Sequence, residues 1–257
     1  MTQTERRAFL TKKLLAEEPQ YRKIAIPQDE AGQKQLLRSL MNVRIPRQIS
    51  DDFLTIQDEY LREELAQKEI TDIADLTPIA NGMYLWQGDI TTLRCDAIVN
   101  AANSGMTGCY VPCHRCIDNC IHTYAGIQLR QECAAIMREQ GHEEETGKAK
   151  ITGAYNLPCK YVLHTVGPII SGPLTKRDEE LLASCYRSCL ELAEQHGVQS
   201  IAFCCISTGE FHFPNDRAAE IAVQTVKQHK EQSEIKVIFN VFKDVDYEIY
   251  HKLLTAN

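Results

Sequence analysis

The chain has 257 residues, of which 44% are hydrophobic and 25% are charged, the balance of an ordinary globular protein. Its formal net charge of −7 argues against nucleic acid as the main partner, because phosphate backbones are bound by basic surfaces. No apolar run approaches the roughly 18 residues that span a bilayer, and the first residues lack the apolar core of a signal peptide. We therefore expect a cytoplasmic protein without membrane contact.

Residues 1–80 are predicted to form a helical extension without chemistry of its own. Apolar residues recur there at helical spacing in three stretches: Phe9, Leu10, Leu14 and Leu15; Leu36, Leu37, Leu40 and Met41; and Phe53, Leu54, Ile56, Tyr60, Leu61 and Leu65. Ser50 and the acidic residues after it mark the start of the third helix. We interpret this region as an extension packed on the main domain, with docking of a partner as the alternative.

Residues 81–257 alternate between predicted strands and helices. The predicted strands are "MYLWQGDI", "DAIVNAA", "KYVLHTVG", "SIAFCCIS" and "IKVIFNVF". The predicted helices are residues 117–140, "DEELLASCYRSCLELAEQHG", "DRAAEIAVQTVKQHKEQ" and "DVDYEIYHKLL". This alternation predicts an α/β domain with a mostly parallel central sheet covered by helices.

Ligands of such sheets bind outside the carboxyl ends of the strands, so the loops that follow the strands are the candidate site. In one of them, the small residues Ser207, Thr208 and Gly209 can turn several backbone N–H groups toward an anion. An ordinary strand-to-helix loop is an equal alternative. No G-x-G-x-x-G or P-loop pattern is present, which argues against a standard NAD-dependent oxidoreductase or a P-loop ATPase.

The most unusual stretch is "GCYVPCHRCIDNCIH", which holds four cysteines and two histidines directly after the predicted strand "DAIVNAA". Eleven cysteines in a cytoplasmic chain do not indicate a disulfide framework. The residues alone leave open a metal site, a set of redox thiols and part of an active site.

Four segments in order resemble the macrodomain family: "QGDITTLRCDAIVNAANSGM", "IDNCIHTYAG", "TGKAKITGAYNLPCKYVLHTVGP" and "CISTGEFHFP". The resemblance implies a three-layer α/β/α macrodomain with a mostly parallel mixed sheet, at residues 81–257, that binds ADP-ribose. Where many hydrolytic members have a glycine-rich loop, "GCYVPCHRC" resembles the zinc-dependent macrodomains of bacteria and fungi. Those proteins also tend to carry a helical N-terminal extension.

The resemblance selects Cys109, His114 and Cys116 as ligands of one Zn²⁺, with the fourth position open for chemistry. The spacing agrees, because these residues can surround one ion before the next helix begins. Cys113 stays ambiguous, since it has the spacing to replace Cys109, and Cys120 is expected to pack inside the helix. A closed structural site of four cysteines and reactive redox thiols are the alternatives.

Two residues match the catalytic positions of the hydrolytic members. Asp118 is expected to act as a general base or to position water, with a simple helix cap as the alternative. Asn103 is expected to orient the proximal ribose, with a turn-forming role as the alternative.

The remaining predicted contacts with ADP-ribose follow the same matching. Asp89 is expected to accept a hydrogen bond from the adenine amino group, and the backbone of Ile90 to lie beside that ring. Phe242 is expected to stack on the adenine, with a core aromatic as the alternative. The diphosphate is expected to lie against the backbone of Ser207, Thr208, Gly209, Glu210 and Phe211.

The resemblance implies a zinc-dependent, glycosidase-type hydrolase that removes mono-ADP-ribose from aspartate and glutamate esters of modified proteins. Some bacterial members are encoded beside a sirtuin-type ADP-ribosyltransferase and a lipoyl-carrier protein, which makes such a carrier a candidate partner. The alternatives are a non-catalytic reader of ADP-ribose and a deacetylase of O-acetyl-ADP-ribose with purely structural zinc.

Overall fold

The computed structural model describes residues 1–256 and begins with three helices. These are α1 (Gln3–Glu17), α2 (Glu30–Val43) and α3 (Asp51–Ala66). Their apolar faces enclose a small core that includes Leu10, Leu37 and Phe53, each almost fully buried. Ser50 precedes α3 as expected, but its backbone carbonyl rather than its side chain accepts the first N–H groups of the helix.

The α/β part contains the central sheet and a small strand pair. Its strands are β1 (Thr71–Asp72), β2 (Met83–Gln87), β3 (Leu93–Arg94), β4 (Ala97–Ala102), β5 (Ala149–Gly153), β6 (Tyr161–Val166), β7 (Ser200–Phe203) and β8 (Lys236–Val241). Its helices are α4 (Ile117–Ala125), α5 (Ile127–Gln140), α6 (Lys176–Gln195), α7 (Asn215–His229) and α8 (Asp244–Thr255). Within residues 1–256, no helix combines the length and the apolar character needed to cross a bilayer.

The six-stranded sheet has the order β2-β8-β7-β4-β6-β5. Every neighbouring pair is parallel except β5 and β6, which are antiparallel, so the sheet is mixed and mostly parallel. Strands covered on both faces read as continuous apolar runs, and β7 is buried along its whole length. The short β1–β3 pair joins the segment after α3 to the α/β part.

Two predicted elements are shorter in the structure. The predicted strand "MYLWQGDI" ends at Gln87, because Asp89 begins a short 3-10 helix over Ile90–Thr92. The predicted strand "SIAFCCIS" ends at Phe203, before a loop in which Ser207 has a φ of 65°.

The single helix predicted over residues 117–140 is wrong, because the chain breaks at Gly126. Gly126 has a φ of 101° and a ψ of 170°, a conformation open essentially to glycine alone. Gln57 of α3 accepts a hydrogen bond from the N–H of Ile127 at 3.0 Å, so the extension caps the start of α5. The break therefore also anchors the extension.

We predict that Gly126→Ala lowers the free energy of unfolding by at least about 2 kcal/mol, because an L-residue is strained in this conformation. A Cβ atom at Gly126 would also lie 2.7 Å from the Gln57 and Gln128 side chains. Gly141→Ala is the matched control, since Gly141 has a φ of 77° and open space around it, and we expect a cost of about 1 kcal/mol. Denaturant unfolding measures both, and equal costs would contradict the assigned strain.

Candidate active site

Three loops meet at one edge of the sheet. Residues 108–116, here called the metal loop, lie in the segment after β4, residues 207–211 lie in the segment after β7, and Phe242 follows β8. Strands β4, β7 and β8 are parallel neighbours, so their carboxyl ends lie together. This is the edge at which open α/β sheets bind their ligands.

The metal loop brings Cys109, His114 and Cys116 together. Their potential ligand atoms all lie within 4.8 Å of one another, and Cys109 Sγ is 3.7 Å from His114 Nδ1. Two ligands of one tetrahedral zinc ion lie about 3.6 Å apart, given bond lengths of about 2.1–2.3 Å. The donor types and their separations therefore fit Zn²⁺.

The other two cysteines of this stretch face away from that trio. Cys113 has a φ of 53°, and its thiol lies 3.2 Å from Ser39 Oγ and 3.5 Å from the Gln35 carbonyl oxygen, both on α2. Cys120 lies inside α4, where its sulfur is 3.7 Å from Arg38 Nη2. Neither thiol joins the trio, so the arrangement is not a closed site of four cysteines.

Cys116 is the N-cap residue of α4, and its Sγ accepts a hydrogen bond from the N–H of Asn119 at 3.4 Å. Burial, with a smaller contribution from the neighbouring Cys109, raises the pKa of the Cys116 thiol to about 12, although the hydrogen bond from Asn119 opposes the rise. Without a cation this thiol stays protonated at neutral pH. Binding of a metal would therefore displace a proton.

Asp118 is buried, and its carboxylate faces the sheet. Asn100 of β4 donates to Oδ1 at 2.8 Å, and Asn103 donates to Oδ2 at 3.2 Å. Burial raises the pKa of the Asp118 carboxyl to about 6, although the hydrogen bond from Asn100 and the positive charge of Arg130 oppose the rise. Because Cys116 caps α4, a capping role does not explain Asp118.

A buried polar chain continues behind Asp118. Asn100 Nδ2 also lies 3.1 Å from His164 Nδ1, and His164 Nε2 lies 2.9 Å from Thr152 Oγ1. An amide nitrogen only donates, so Nδ1 accepts and Nε2 carries the proton. Burial lowers the pKa of His164 to about 3, which keeps the ring neutral.

His122, Cys133 and His164 form a second trio with metal-ligating atoms, also within 4.8 Å of one another and fully buried. The ring nitrogens of His164 already hydrogen-bond Asn100 and Thr152. Burial also raises the pKa of the Cys133 thiol, which opposes thiolate formation. This trio is therefore a neutral cluster in the core. One of its members, His122, places Nε2 3.5 Å from Asp118 Oδ1.

Asn103 forms the turn that follows β4. Its Oδ1 accepts from the N–H of Gly105 at 3.0 Å, and its Nδ2 donates to the Gly108 carbonyl at 3.2 Å. The side chain thus links the turn, the start of the metal loop and Asp118. The turn-forming interpretation is realised, and the predicted contact with a ribose stays a prediction.

The loop after β7 exposes backbone N–H groups. Among residues 1–256, no hydrogen bond uses the N–H groups of Gly209, Glu210 or Phe211, whereas the Ser207 and Gly209 carbonyls accept from Phe213 and His212. Three free N–H groups in succession can hold an anion. Glu210 also reaches the metal loop, with Oε1 3.7 Å from His114 Nε2.

The residues predicted to contact adenine lie at the same edge. Asp89 Oδ1 accepts from Thr91, both N–H and Oγ1, while Oδ2 lies 3.6 Å from Lys68 Nζ. Ile90 is almost fully buried as a whole residue, so the predicted contact of its backbone with adenine stays a prediction. Phe242 is 75% exposed and is therefore not a core aromatic.

Sequence reasoning missed Asn100 and His164 beneath Asp118, and Arg38 and Asn42 beside the metal loop. Asn100 and His164 are polar residues inside apolar strands, and such residues need buried partners. That signal was available, and the register pairs these two residues directly. Arg38 and Asn42 carry no comparable signal, because polar residues are common on helices.

Comparison with known proteins identifies the family of this chain. The Macro domain family model matches residues 99–222. A "Protein-ADP-ribose hydrolase" of Treponema medium is 64% identical over 99% of this chain and 100% of its own length. The chain belongs to the macrodomain family. This confirms the predicted macrodomain fold.

Two further relatives support the assignment. A "Protein-ADP-ribose hydrolase" of Staphylococcus aureus (strain MSSA476) is 54% identical over 84% of this chain and 82% of its own length. The crystal structure of the Trypanosoma brucei macrodomain in complex with ADP-ribose is 31% identical, with a TM-score of 0.67 over 82% of this chain and 93% of that one. The helices at residues 3–66 form the N-terminal extension of this macrodomain.

The buried neutral His164 predicts acid-sensitive stability. Its pKa of about 3 in the folded protein lies below the ordinary value of about 6.5, so the unfolded chain binds the extra proton. Its contribution is fully present above about pH 6.5 and is lost progressively as the pH falls toward 3. Between pH 6.5 and 5 the loss amounts to about 2 kcal/mol.

Denaturant unfolding of the wild type and His164→Gln at pH 7, 6 and 5 measures this term. Asp118 makes the folded state more stable as the pH falls, because its pKa is raised in the folded protein. Asp118 is present in both proteins, so this contribution is common to the two curves. We expect a shallower fall of stability with acid in the variant. Parallel curves would contradict a neutral, proton-excluding His164.

Proposed function

We propose that this macrodomain is a zinc-dependent hydrolase that releases mono-ADP-ribose from acidic side chains of modified proteins. The observation that carries the proposal is the placement of Cys109, His114 and Cys116 on the loop that leads directly to the buried carboxylate of Asp118. The names of the relatives from Treponema medium and Staphylococcus aureus support the hydrolase activity.

One zinc ion per chain would be held by Cys109, His114 and Cys116. When bound, it supplies Lewis acidity that stabilises negative charge on the leaving carboxylate or lowers the pKa of a bound water toward about 7. In the net reaction, water adds a hydroxyl group to the anomeric carbon of the ribose. The aspartate or glutamate side chain leaves as a free carboxylate.

Asp118 orients the attacking water or accepts its proton. A general base works best with a pKa near the working pH, and burial brings the pKa of Asp118 to about 6. Asn100 and Asn103 donate to both carboxylate oxygens and so fix the direction of the lone pairs. Asn103, tied to the metal loop, is also placed to orient the proximal ribose.

ADP-ribose would lie along the edge formed by the three loops. Asp89 Oδ2 accepts from the adenine amino group beside the backbone of Ile90, and Phe242 stacks on the ring. The diphosphate lies against Ser207, Thr208, Gly209, Glu210 and Phe211, where free N–H groups support anion binding. Following the family resemblance, we propose a cytoplasmic lipoyl-carrier protein modified by a sirtuin-type transferase as the partner.

The zinc mechanism predicts that Cys116→Ala abolishes both metal binding and the release of ADP-ribose from a glutamate- or aspartate-modified protein. Cys113→Ala is the matched control, because the Cys113 thiol contacts Ser39 and Gln35 instead of the trio. We expect this variant to keep one zinc ion and to release ADP-ribose within about threefold of the wild-type rate. Metal analysis and product release measure both properties.

Undiminished release by metal-free Cys116→Ala would disprove the zinc mechanism. Tight binding of ADP-ribose without turnover on ester-linked substrates would identify a reader instead. A chelator that unfolds the domain, with activity confined to O-acetyl-ADP-ribose, would identify structural zinc in a deacetylase.

Stacking on adenine predicts that Phe242→Ala raises the Kd for ADP-ribose about tenfold, the typical loss for a base–aromatic stack. Val245→Ala is the control, because Val245 is also exposed, at 56%, near the start of α8. Calorimetric titration with free ADP-ribose measures both variants. An unchanged Kd for Phe242→Ala would remove this residue from the binding site.

A further inference from the structure

Helix α2 of the extension contacts the metal loop through side chains that belong to no ligand set. We infer that α2 positions the metal ligands: Arg38 and Asn42 hold the metal loop in the conformation that binds the ion. The inference deepens the proposed function, because it rests on zinc binding by the trio.

Arg38 connects α2 to both ends of the metal loop. Its Nη2 donates to the carbonyl of the ligand His114 at 2.8 Å and to Asn119 Oδ1 at 3.0 Å. Asn119, which is fully buried, donates in turn to the carbonyls of Cys109 at 3.3 Å and Val111 at 2.9 Å. One guanidinium and one amide therefore fix the backbone beside two of the three ligands.

Asn42 fixes the middle of the loop. Its Oδ1 accepts from the N–H of Cys113 at 2.9 Å, and its Nδ2 donates to Thr123 Oγ1 at 2.8 Å. Asn42 is almost fully buried, so loss of either bond would leave an unsatisfied polar group. Cys113 is held at positive φ, which turns the chain toward His114 while its thiol stays against α2.

Arg130 of α5 joins the carboxyl end of α2 to the same loop. Its Nη1 donates to the carbonyls of Asn42 at 2.6 Å and Arg44 at 2.8 Å, and its Nη2 donates to the Cys109 carbonyl at 3.3 Å. Arg130 therefore holds the start of the metal loop against the end of α2, as Arg38 holds its end.

The energetic argument concerns the cost of ordering the loop. The metal loop has no regular secondary structure, so without α2 its ligands would have to be brought together when the ion binds. Loss of residues that orient metal ligands typically weakens metal binding 10–100-fold. We therefore expect Arg38→Ala to raise the Kd for Zn²⁺ by about 10–100-fold.

Lys34→Ala is the matched control. Lys34 lies one turn before Arg38 on α2 and pairs with Glu64 at 2.9 Å and Glu30 at 3.4 Å, both within the extension. We expect its zinc affinity to equal that of the wild type. Arg38→Lys keeps the charge and an ammonium donor group but loses the planar guanidinium, so it should recover part of the affinity lost in Arg38→Ala.

The experiment titrates Zn²⁺ into each full-length protein against a chromogenic chelator of known affinity. Thermal unfolding of the metal-free proteins is recorded in parallel. Weaker zinc binding in Arg38→Ala alone, with partial recovery in Arg38→Lys, supports the inference. Equal zinc affinity in Arg38→Ala and the wild type overturns it, as does an equal loss in Lys34→Ala. A wild-type protein that binds no zinc would instead refute the zinc part of the proposed function.

Discussion

The hydrogen bond between Asn100 and Asp118 joins the sheet to the site. At 2.8 Å and fully buried, it connects β4 to the first turn of α4, which is also where the metal loop ends. The position of α4 against the sheet therefore sets the position of Cys116 as well as that of Asp118. Asn100 holds this place because the β4–β6 register pairs it with His164, which occupies its other amide hydrogen.

A buried carboxylate is costly unless its lone pairs are satisfied. Burial raises the pKa of Asp118 and lowers the pKa values of His122 and His164, so each of these groups is driven toward its neutral form. The two amide donors and the charge of Arg130 oppose this for Asp118 alone. The pKa of Asp118 therefore lies near 6, between neighbouring histidines that burial keeps neutral.

Much of the fold could be predicted from the sequence, because helical and strand periodicities are local signals and buried parallel strands are visibly apolar. The break at Gly126 was missed, since a glycine inside a helical pattern becomes a break only when its neighbours, here Gln57, stabilise it. The trio of Cys109, His114 and Cys116 was selected by the resemblance to zinc-dependent macrodomains, and the short spacing of its members agreed with that choice. The residues of α2 that contact the metal loop could not be predicted from the sequence. Arg38 lies 76 residues from His114, and only the packing of α2 on α4 brings them together.

The cysteines of one short stretch acquire different environments through backbone geometry rather than through spacing. Cys116 faces Cys109 and His114 because it occupies the N-cap position of α4, where its sulfur accepts a hydrogen bond from a backbone N–H group. Cys113 faces α2 because its positive φ and the bond from its N–H to Asn42 turn it there. A loop with surplus thiols could otherwise bind an ion with several ligand sets of similar energy. By engaging Cys113, the extension disfavours those alternatives and leaves two thiols and one imidazole, the donor set of the proposed zinc site.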